Sequence, residues 1–500
     1  MEQEKQKIQI PMLQRSVTTE LSEEFSIPDY QPEIKRILRV EARAMPADRY
    51  VGPSSAEFSG KMQYTLFYVG EDGELYGCSF EGDYRVLQPV EIPGDVTGDG
   101  ILCDADIFSE TVSGRLLSPR KFLIKTRLHS EIRLYATRTL EEEFPEDCAS
   151  ESLTETILCG THLMGSSEGF HLFDEIPTSS DPVRVVACEG NVHVSDLSCG
   201  DGKLGCRGDL VLKLTTVQEG SGDAPTILFR SLPFDATLDL DGLESGGLAS
   251  AGGSMVACDV TVEEGKILCD AEVILSARAL QKSPLTYTRD RYAVGKESSI
   301  TTETCVCPVL LSSGVGNFTL SSTISLAEAG LSKDETIYDV TLTPVIREVS
   351  TEGGRLILSG KCRCHAVLKN GEEWLPSEFE VPFKYDGGAC REAEPSDLLA
   401  SAVALSSRAK IEADQLKIDG EIALSYTLSG EEMIERVASM TVGEPIAEPV
   451  ASLHICYPTA SDSLWTLAKR YHKPLATLAE ANNLPTNDPT TPVAARFLMV

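Results

Sequence analysis

Three groups of residues have the types and spacing that chemistry uses. Gly165-Ser-Ser-Glu-Gly169 has the G-x-S-x-G form of a nucleophile elbow, in which a serine on a strained strand-to-helix turn is activated by a downstream histidine. The elbow needs a helix after it, but Phe170-His-Leu-Phe173 alternates as a strand does, so Ser167 reads as a turn residue. Cys305-x-Cys307 and Cys362-x-Cys364 form the second group, since thiolates bind soft metals. The chain has no C-x-x-C and no H-E-x-x-H, and its seven histidines are scattered. The third group is the acidic, glycine-rich run Gly94-Asp-Val-Thr-Gly-Asp-Gly100, which lacks the register of a calcium loop and reads as a hairpin connection. Ser59-Gly-Lys61 is not a phosphate-binding loop, because the glycine that should open it is replaced by Ser55. No catalytic residue, metal ligand or cofactor is assigned, and a non-enzymatic protein is expected.

Five hundred residues suffice for several domains, and 42% hydrophobic content with a mean hydropathy of −0.08 is that of globular domains. The first twenty residues carry charges and no apolar segment, and no run approaches the roughly 20 apolar residues of a membrane helix. A cytoplasmic chain with free thiols is therefore expected. The net charge is −33. Residues 451–500 hold four basic groups (Lys469, Arg470, Lys473, Arg496) against three acidic ones (Asp462, Glu480, Asp488), so the first 450 carry −34. That balance argues against nucleic acid and anionic membrane as partners.

The elements that must position any site are strands. Met62, Tyr64, Leu66 and Tyr68 alternate with Lys61, Gln63 and Thr65, and turn clusters such as Gly70-Glu-Asp-Gly73 and Asn370-Gly371 punctuate such runs. The pattern also repeats. Gly60, Gly208 and Gly360 recur at intervals of 148 and 152 residues, each followed by a phenylalanine (Phe80, Phe229, Phe379) and then by a proline-containing strand ending at Pro93, Phe234 and Phe383. A hairpin signal recurs at Gly114, Gly265 and Asp414, and the lead-in Ile8-Gln-Ile-Pro-Met12 matches Cys305-Val-Cys-Pro-Val309. In this frame the paired cysteines fall on positions that are apolar in other repeats, so they read as core thiols. A period near 150 means domain duplication. The expectation is a mainly β chain: three tandem β-sandwich or barrel-like domains at 1–140, 141–290 and 291–435, a linker at 436–450 containing Gly443-Glu-Pro-Ile-Ala-Glu-Pro449, and a small βααβ domain at 451–500.

The last fifty residues break the β pattern. Ser452-Leu-His-Ile-Cys-Tyr reads as a strand, and Asp462 as the N-cap of a helix whose apolar face is Leu464, Leu467, Ala468 and Tyr471. Asn482 and Asn483 suit the end of a second helix, and Arg496-Phe-Leu-Met-Val500 reads as a closing strand. The run Asp-Ser-Leu-Trp-x-Leu-Ala-x-Arg-Tyr with the later Asn-Asn-Leu resembles a LysM domain. The resemblance implies binding of N-acetylglucosamine polymers such as peptidoglycan or chitin between the 459–463 and 483–488 loops. Family glycines are replaced here by Ser461 and by Ala494 or Ala495. Candidate partner- or glycan-binding residues are Thr459, Ser461, Asp462, Ser463, Trp465, Lys469, Asn483, Leu484 and Pro485.

The repeats resemble the SPOCS (DUF3794) domain of spore coat morphogenetic proteins. The resemblance rests on Ile27-Pro-Asp-Tyr-Gln-Pro-Glu-Ile-Lys-Arg-Ile-Leu38 and Ser118-Pro-Arg-Lys121 in the first repeat. Several such repeats before a LysM domain is the layout of SipL-type coat proteins. It implies an adaptor in endospore coat assembly that docks a coat morphogenetic ATPase at the forespore surface, from the mother-cell cytoplasm. The alternative it leaves open is a peptidoglycan-binding envelope protein.

Overall fold

The computed structural model describes residues 6–92, 96, 100–145, 147–178, 183–218, 224–263, 265–391, 395–447 and 454–500. Most of the glycine-rich run at 94–100, with Pro93, lies outside the described residues, as do 448–450 and Ser452. Alternation dictates strands almost throughout, in three blocks. The first holds β1 (Lys7–Ser26), β2 (Ile34–Ala44), β3 (Asp48–Val51), β4 (Ser55–Gly70), β5 (Leu75–Pro89), β6 (Ile101–Ser118) and β7 (Lys121–Thr139). The second holds β8 (Ser150–Ser166), β9 (Phe170–Pro177), β10 (Val183–Gly200), β11 (Lys203–Gln218), β12 (Thr226–Asp239), β13 (Leu248–Glu263) and β14 (Lys266–Ala293). The third holds β15 (Lys296–Ser325), β16 (Glu335–Glu352), β17 (Arg355–Asn370), β18 (Glu373–Ala389), β19 (Pro395–Glu412) and β20 (Gln415–Pro445).

Each block repeats one topology. Its first strand pairs antiparallel with its last, which pairs with the strand before it: β1-β7-β6, β8/β9-β14-β13 and β15-β20-β19. The strands between them form a second layer: β2-β4-β5 with β3 alongside, β10-β11-β12 and β16-β17-β18; in the second repeat the Val192–Gly253 bridge joins both layers into one seven-stranded sheet. The inward faces of the two layers make the core of each repeat, around Tyr64 and Phe122 in the first, Leu212 and Val273 in the second, Cys364 and Ile418 in the third. The cysteine pairs Cys305/Cys307 and Cys362/Cys364 are buried thiols, as the repeat frame requires. The third repeat does not stop near residue 435. Strand β20 runs to Pro445, where it pairs with Lys296, so residues 436–445 are strand rather than linker.

The three glycine markers acquire a reason. Gly60, Gly208 and Gly360 sit mid-strand, each opposite an aromatic on the next strand: Tyr84, Phe234 and Phe383. A Cβ on any of them would lie within 3 Å of that ring, so only glycine lets the ring fold across the strand. The aromatic that recurs in all three repeats is thus this one. Phe80 and Phe379 pair with Tyr64 and Cys364, but the register puts Arg230, not Phe229, at the corresponding place, and Phe229 is 41% exposed. The two motifs of the first repeat also meet. The Arg120 guanidinium donates to the Gln31 and Pro28 carbonyls at 3.2 and 2.7 Å, and Ile27 and Ile34 donate to the Arg120 and Pro119 carbonyls.

The repeats meet one another at two buried ionic layers. In the first, Arg39 of β2 lies against Glu189 of β10 and donates to Asp339 of β16 at 2.9 Å, while Lys213 of β11 reaches Asp339 at 2.7 Å. Residues 39, 189 and 339 are 150 apart and occupy the same strand of the three repeats. In the second, Arg133 of β7 donates to Asp397 of β19 at 2.6 Å, and Arg278 of β14 donates to Asp104 of β6 at 2.7 Å. Arg133 and Arg278 each lie twelve positions past their hairpin turns at Lys121 and Lys266, and Thr427 stands at the corresponding place past Gln415. His162 stacks on Tyr135 in this layer at 4.2 Å, and burial beside Arg133 holds its imidazole down at about 4, so it is neutral at physiological pH. Apolar contacts complete the junction: Ile8, Cys159, Cys305 and Cys307 cluster from the three lead-in strands.

Candidate functional site

The C-terminal module consists of β21 (Ile455–Cys456), α1 (Leu464–Tyr471), α2 (Leu475–Asn482) and β22 (Leu498–Met499). Its core is Cys456, Leu464, Leu467, Ala468, Leu478, Ala479 and Leu498. The first helix is capped one residue later than its sequence suggests. Ser463 is the N-cap: its hydroxyl accepts the Thr466 N–H, and the Thr466 hydroxyl accepts the Ser463 N–H in return. Asp462 has another task. Its buried carboxylate accepts the Thr459 N–H at 2.8 Å and the Arg470 guanidinium at 2.5 Å, closing the 459–462 turn against α1. The bonds from Arg470 and Thr459 hold this carboxyl down at about 2.

That depression sets a pH window. The unfolded carboxyl titrates near 3.9, so the turn is stabilised above that pH and loses the contribution as pH falls toward 2. Asp462→Asn is expected to melt at a lower temperature than the parent at pH 5, with the gap closing by pH ~2. Differential scanning of the two proteins across that range checks it, and a gap constant with pH would refute the assignment.

The second helix ends at Asn483 in the left-handed conformation, its N–H directed to the Ala479 and Glu480 carbonyls. The Asn482 amide donates to the Met499 carbonyl and accepts the Met499 N–H, both at 2.7 Å, tying α2 to β22. Residues 489–493 run alongside the start of α1, with Trp465 N–H donating to the Pro489 carbonyl and Val493 N–H to that of Asp462. Ser461, Ala494 and Ala495 are not among the residues with positive φ, so the backbone here does not require the glycines the family carries.

The module is docked on the body through α1. Trp465 is 4% exposed; its indole N–H donates to Asp290 of β14 at 2.8 Å, and its ring meets Tyr292 edge-on at 5.2 Å. Lys469 pairs with the same Asp290 carboxylate at 2.5 Å. The Tyr292 hydroxyl donates to the Lys473 carbonyl, and burial pushes this phenol up. Gly295 N–H donates to the His472 carbonyl. The first N–H of α2, which lacks a cap of its own, is met by the Glu151 carboxylate at 3.3 Å.

The nine candidate residues are therefore divided. Thr459, Ser461, Asn483 and Pro485 are exposed, with the Thr459 and Ser461 hydroxyls 3.2 Å apart. Asp462 and Ser463 shape the loop from within, and Leu484 packs on the module core. Trp465, read first as a module-core residue and otherwise as a partner anchor, is buried in that core, and with Lys469, read as helix surface, it also meets the chain's own body, because Asp290 offers one carboxylate to both. One feature escaped the sequence reading. Ile455 pairs with Met499, and the register continues to place Tyr457 opposite Phe497; all four are exposed, Tyr457 at 72% and Phe497 at 55%. Their signal was the offset by one from the inward Cys456 and Leu498.

Among the described residues no cluster of three or more metal-ligating side chains occurs. The Ser167 hydroxyl accepts the Leu275 N–H at 2.9 Å, and strand β9, not a helix, follows it. Among the described residues no helix is long and apolar enough to cross a membrane. The LysM domain model matches residues 459–490, spanning both loops and both helices of the module. No curated protein and no solved structure matches the chain.

Proposed function

We propose that this chain is a non-enzymatic adaptor, in which a body of three β repeats presents the outer edge of a LysM domain to a binding partner. The observation that carries this reading is the orientation of the module. Its α1 face is consumed by Asp290 and Tyr292, while Thr459, Ser461, Asn483, Pro485 and the strip Ile455, Tyr457, Phe497 and Met499 stay open. Exposed apolar strips with a polar rim are the usual mark of a protein contact. The setting we propose is endospore coat assembly on the mother-cell side of the forespore, with a coat morphogenetic ATPase as the partner. It rests on the resemblance of the repeats, and the two motifs behind that resemblance touch through Arg120.

A second reading is favoured by the LysM match itself: the 459–463 and 483–488 loops take an N-acetylglucosamine polymer. One experiment separates the two. The full chain is incubated with insoluble peptidoglycan, with and without chitin oligomers, and in parallel is immobilised and exposed to lysate of sporulating cells. Recovery of the coat ATPase, lost in Tyr457→Ser with Phe497→Ser and unaffected by chitin oligomers, supports the adaptor. Sedimentation with the wall, competed by the oligomers, replaces it with glycan binding. Failure of both sinks both readings.

A further inference from the structure

The second repeat contains two thiols that no role described so far uses. Cys188 lies in β10 and Cys258 in β13, the strands whose single pairing, Val192 with Gly253, joins the two halves of this repeat's sheet. Four residues back along β10 from that pair is Cys188. Five residues forward along β13, across the bulge between Met255 and Ala257, is Cys258. The count places the cysteines opposite one another where the strands diverge, and their sulfurs are 3.4 Å apart. Both are half-buried, and both line a cavity of about 600 Å³ at the junction of the three repeats, together with Cys78 of the first repeat. A cavity of this size admits a small molecule.

We propose that Cys188 and Cys258 are an oxidisable pair, which a small disulfide entering this cavity converts into an intrachain disulfide joining β10 to β13 beyond their single pairing. Facing positions on neighbouring antiparallel strands bring side chains to the separation a disulfide needs. The division of labour follows from the environment. The hydrogen bond with Cys188, and burial, push the Cys258 thiol up to about 12 despite an opposing bond from Cys269, which leaves Cys188 as the sulfur that attacks. The Cys188 thiolate attacks one sulfur of the small disulfide, forming a mixed disulfide and expelling one thiolate. Cys258 then loses its proton to water, attacks the Cys188 sulfur, and expels the second thiolate. Two protein thiols are oxidised and one small disulfide is reduced to two thiols. Cys269, nearly fully buried on β14, has no comparable access.

Oxidised glutathione is the probe, applied to the full chain under native conditions. Free thiols are expected to fall from fifteen to thirteen. A non-reducing digest should yield one linked pair of peptides containing Cys188 and Cys258, and the thermal midpoint should rise. Cys258→Ala should instead trap a lasting glutathione adduct on Cys188, which keeps the test valid if Cys188→Ser does not fold. No loss of thiols, a link made through Cys269, or an adduct on Cys188 that persists in the unsubstituted protein would each overturn the proposal.

Discussion

Arg39→Met is expected to destabilise the body by about 3–5 kcal/mol, the usual result of removing one partner from a buried ionic group. The Arg39 side chain is 2% exposed and serves four acceptors in three repeats: Glu41 at 3.1 Å, Glu189, Asp339 at 2.9 Å and the Thr341 hydroxyl at 2.8 Å. Lys213 is the other cation of the layer, bound to Asp339 and to the Val340 carbonyl. Three carboxylates balanced by two cations would become three against one in a layer where Arg39, Glu189 and Asp339 are almost wholly buried and only Glu41 keeps partial exposure. Burial alone would raise Asp339, but Lys213 and Arg39 outweigh it and hold this carboxyl below its ordinary range; at Glu189 burial prevails over Arg39 and the carboxyl is raised. Without Arg39 both carboxyls rise in the folded state, above their unfolded values. A group raised on folding stabilises the fold when protonated, so the deficit of the variant should shrink as pH falls toward 4 and be largest near neutrality. Urea unfolding of parent and variant at pH 5 and pH 7.5 measures it. A difference below about 0.5 kcal/mol at pH 7.5, the scale of a solvated surface pair, would mean that water enters the layer. Adding Glu189→Gln to the variant should recover part of the loss, because it removes a charge that Arg39 no longer meets.

Trp465→Ala is the second large effect, at about 3–5 kcal/mol for deletion of a buried tryptophan. The loss should be local to the module and its seat. The substitution removes the edge-on contact with Tyr292 and leaves the Asp290 carboxylate to Lys469 and the Arg291 N–H. Amide exchange is expected to rise in α1 and also at Tyr292–Ala293 of β14, whose groups bond to the module. Asp290→Asn separates docking from folding: it weakens the bonds to both Trp465 and Lys469 without opening the module core. It should speed exchange at the contact while α2 keeps its protection. If exchange at Tyr292 and Ala293 is unchanged in both variants, the module is not seated on β14 in solution. The consequence for function is direct, since a partner selected through Trp465 would have to displace Asp290 first.

Local structure was legible in the residue pattern alone. A side-chain period of two can only be satisfied by strands, the recurrence near 150 residues can only come from duplicated domains, and the Asp-Ser-Leu-Trp run shows a helix because its apolar residues recur at helical spacing. The identity of Cys305, Cys307, Cys362 and Cys364 as core was legible for the same reason, from their place in the alternation. Tertiary structure decided what lies between elements. Asp462 and Ser463 are adjacent and both cap helices well, and only the reach of Arg470 hands the cap to Ser463. Residues 436–445 look like a proline-bearing linker, yet pairing with β15 extends the strand through them. The charges at 39, 189 and 339 are spaced at one repeat length within apolar strands, a signal present in the chain but mute until the repeats are brought together. Trp465 reads as module core and Lys469 as helix surface, and nothing local reveals Asp290, which joins both to the body and is 175 residues from Trp465 in sequence but one hydrogen bond away in space. Local pattern is set by neighbours within a turn or a strand pair, whereas a docking face is set by which distant carboxylate the folded chain delivers to it.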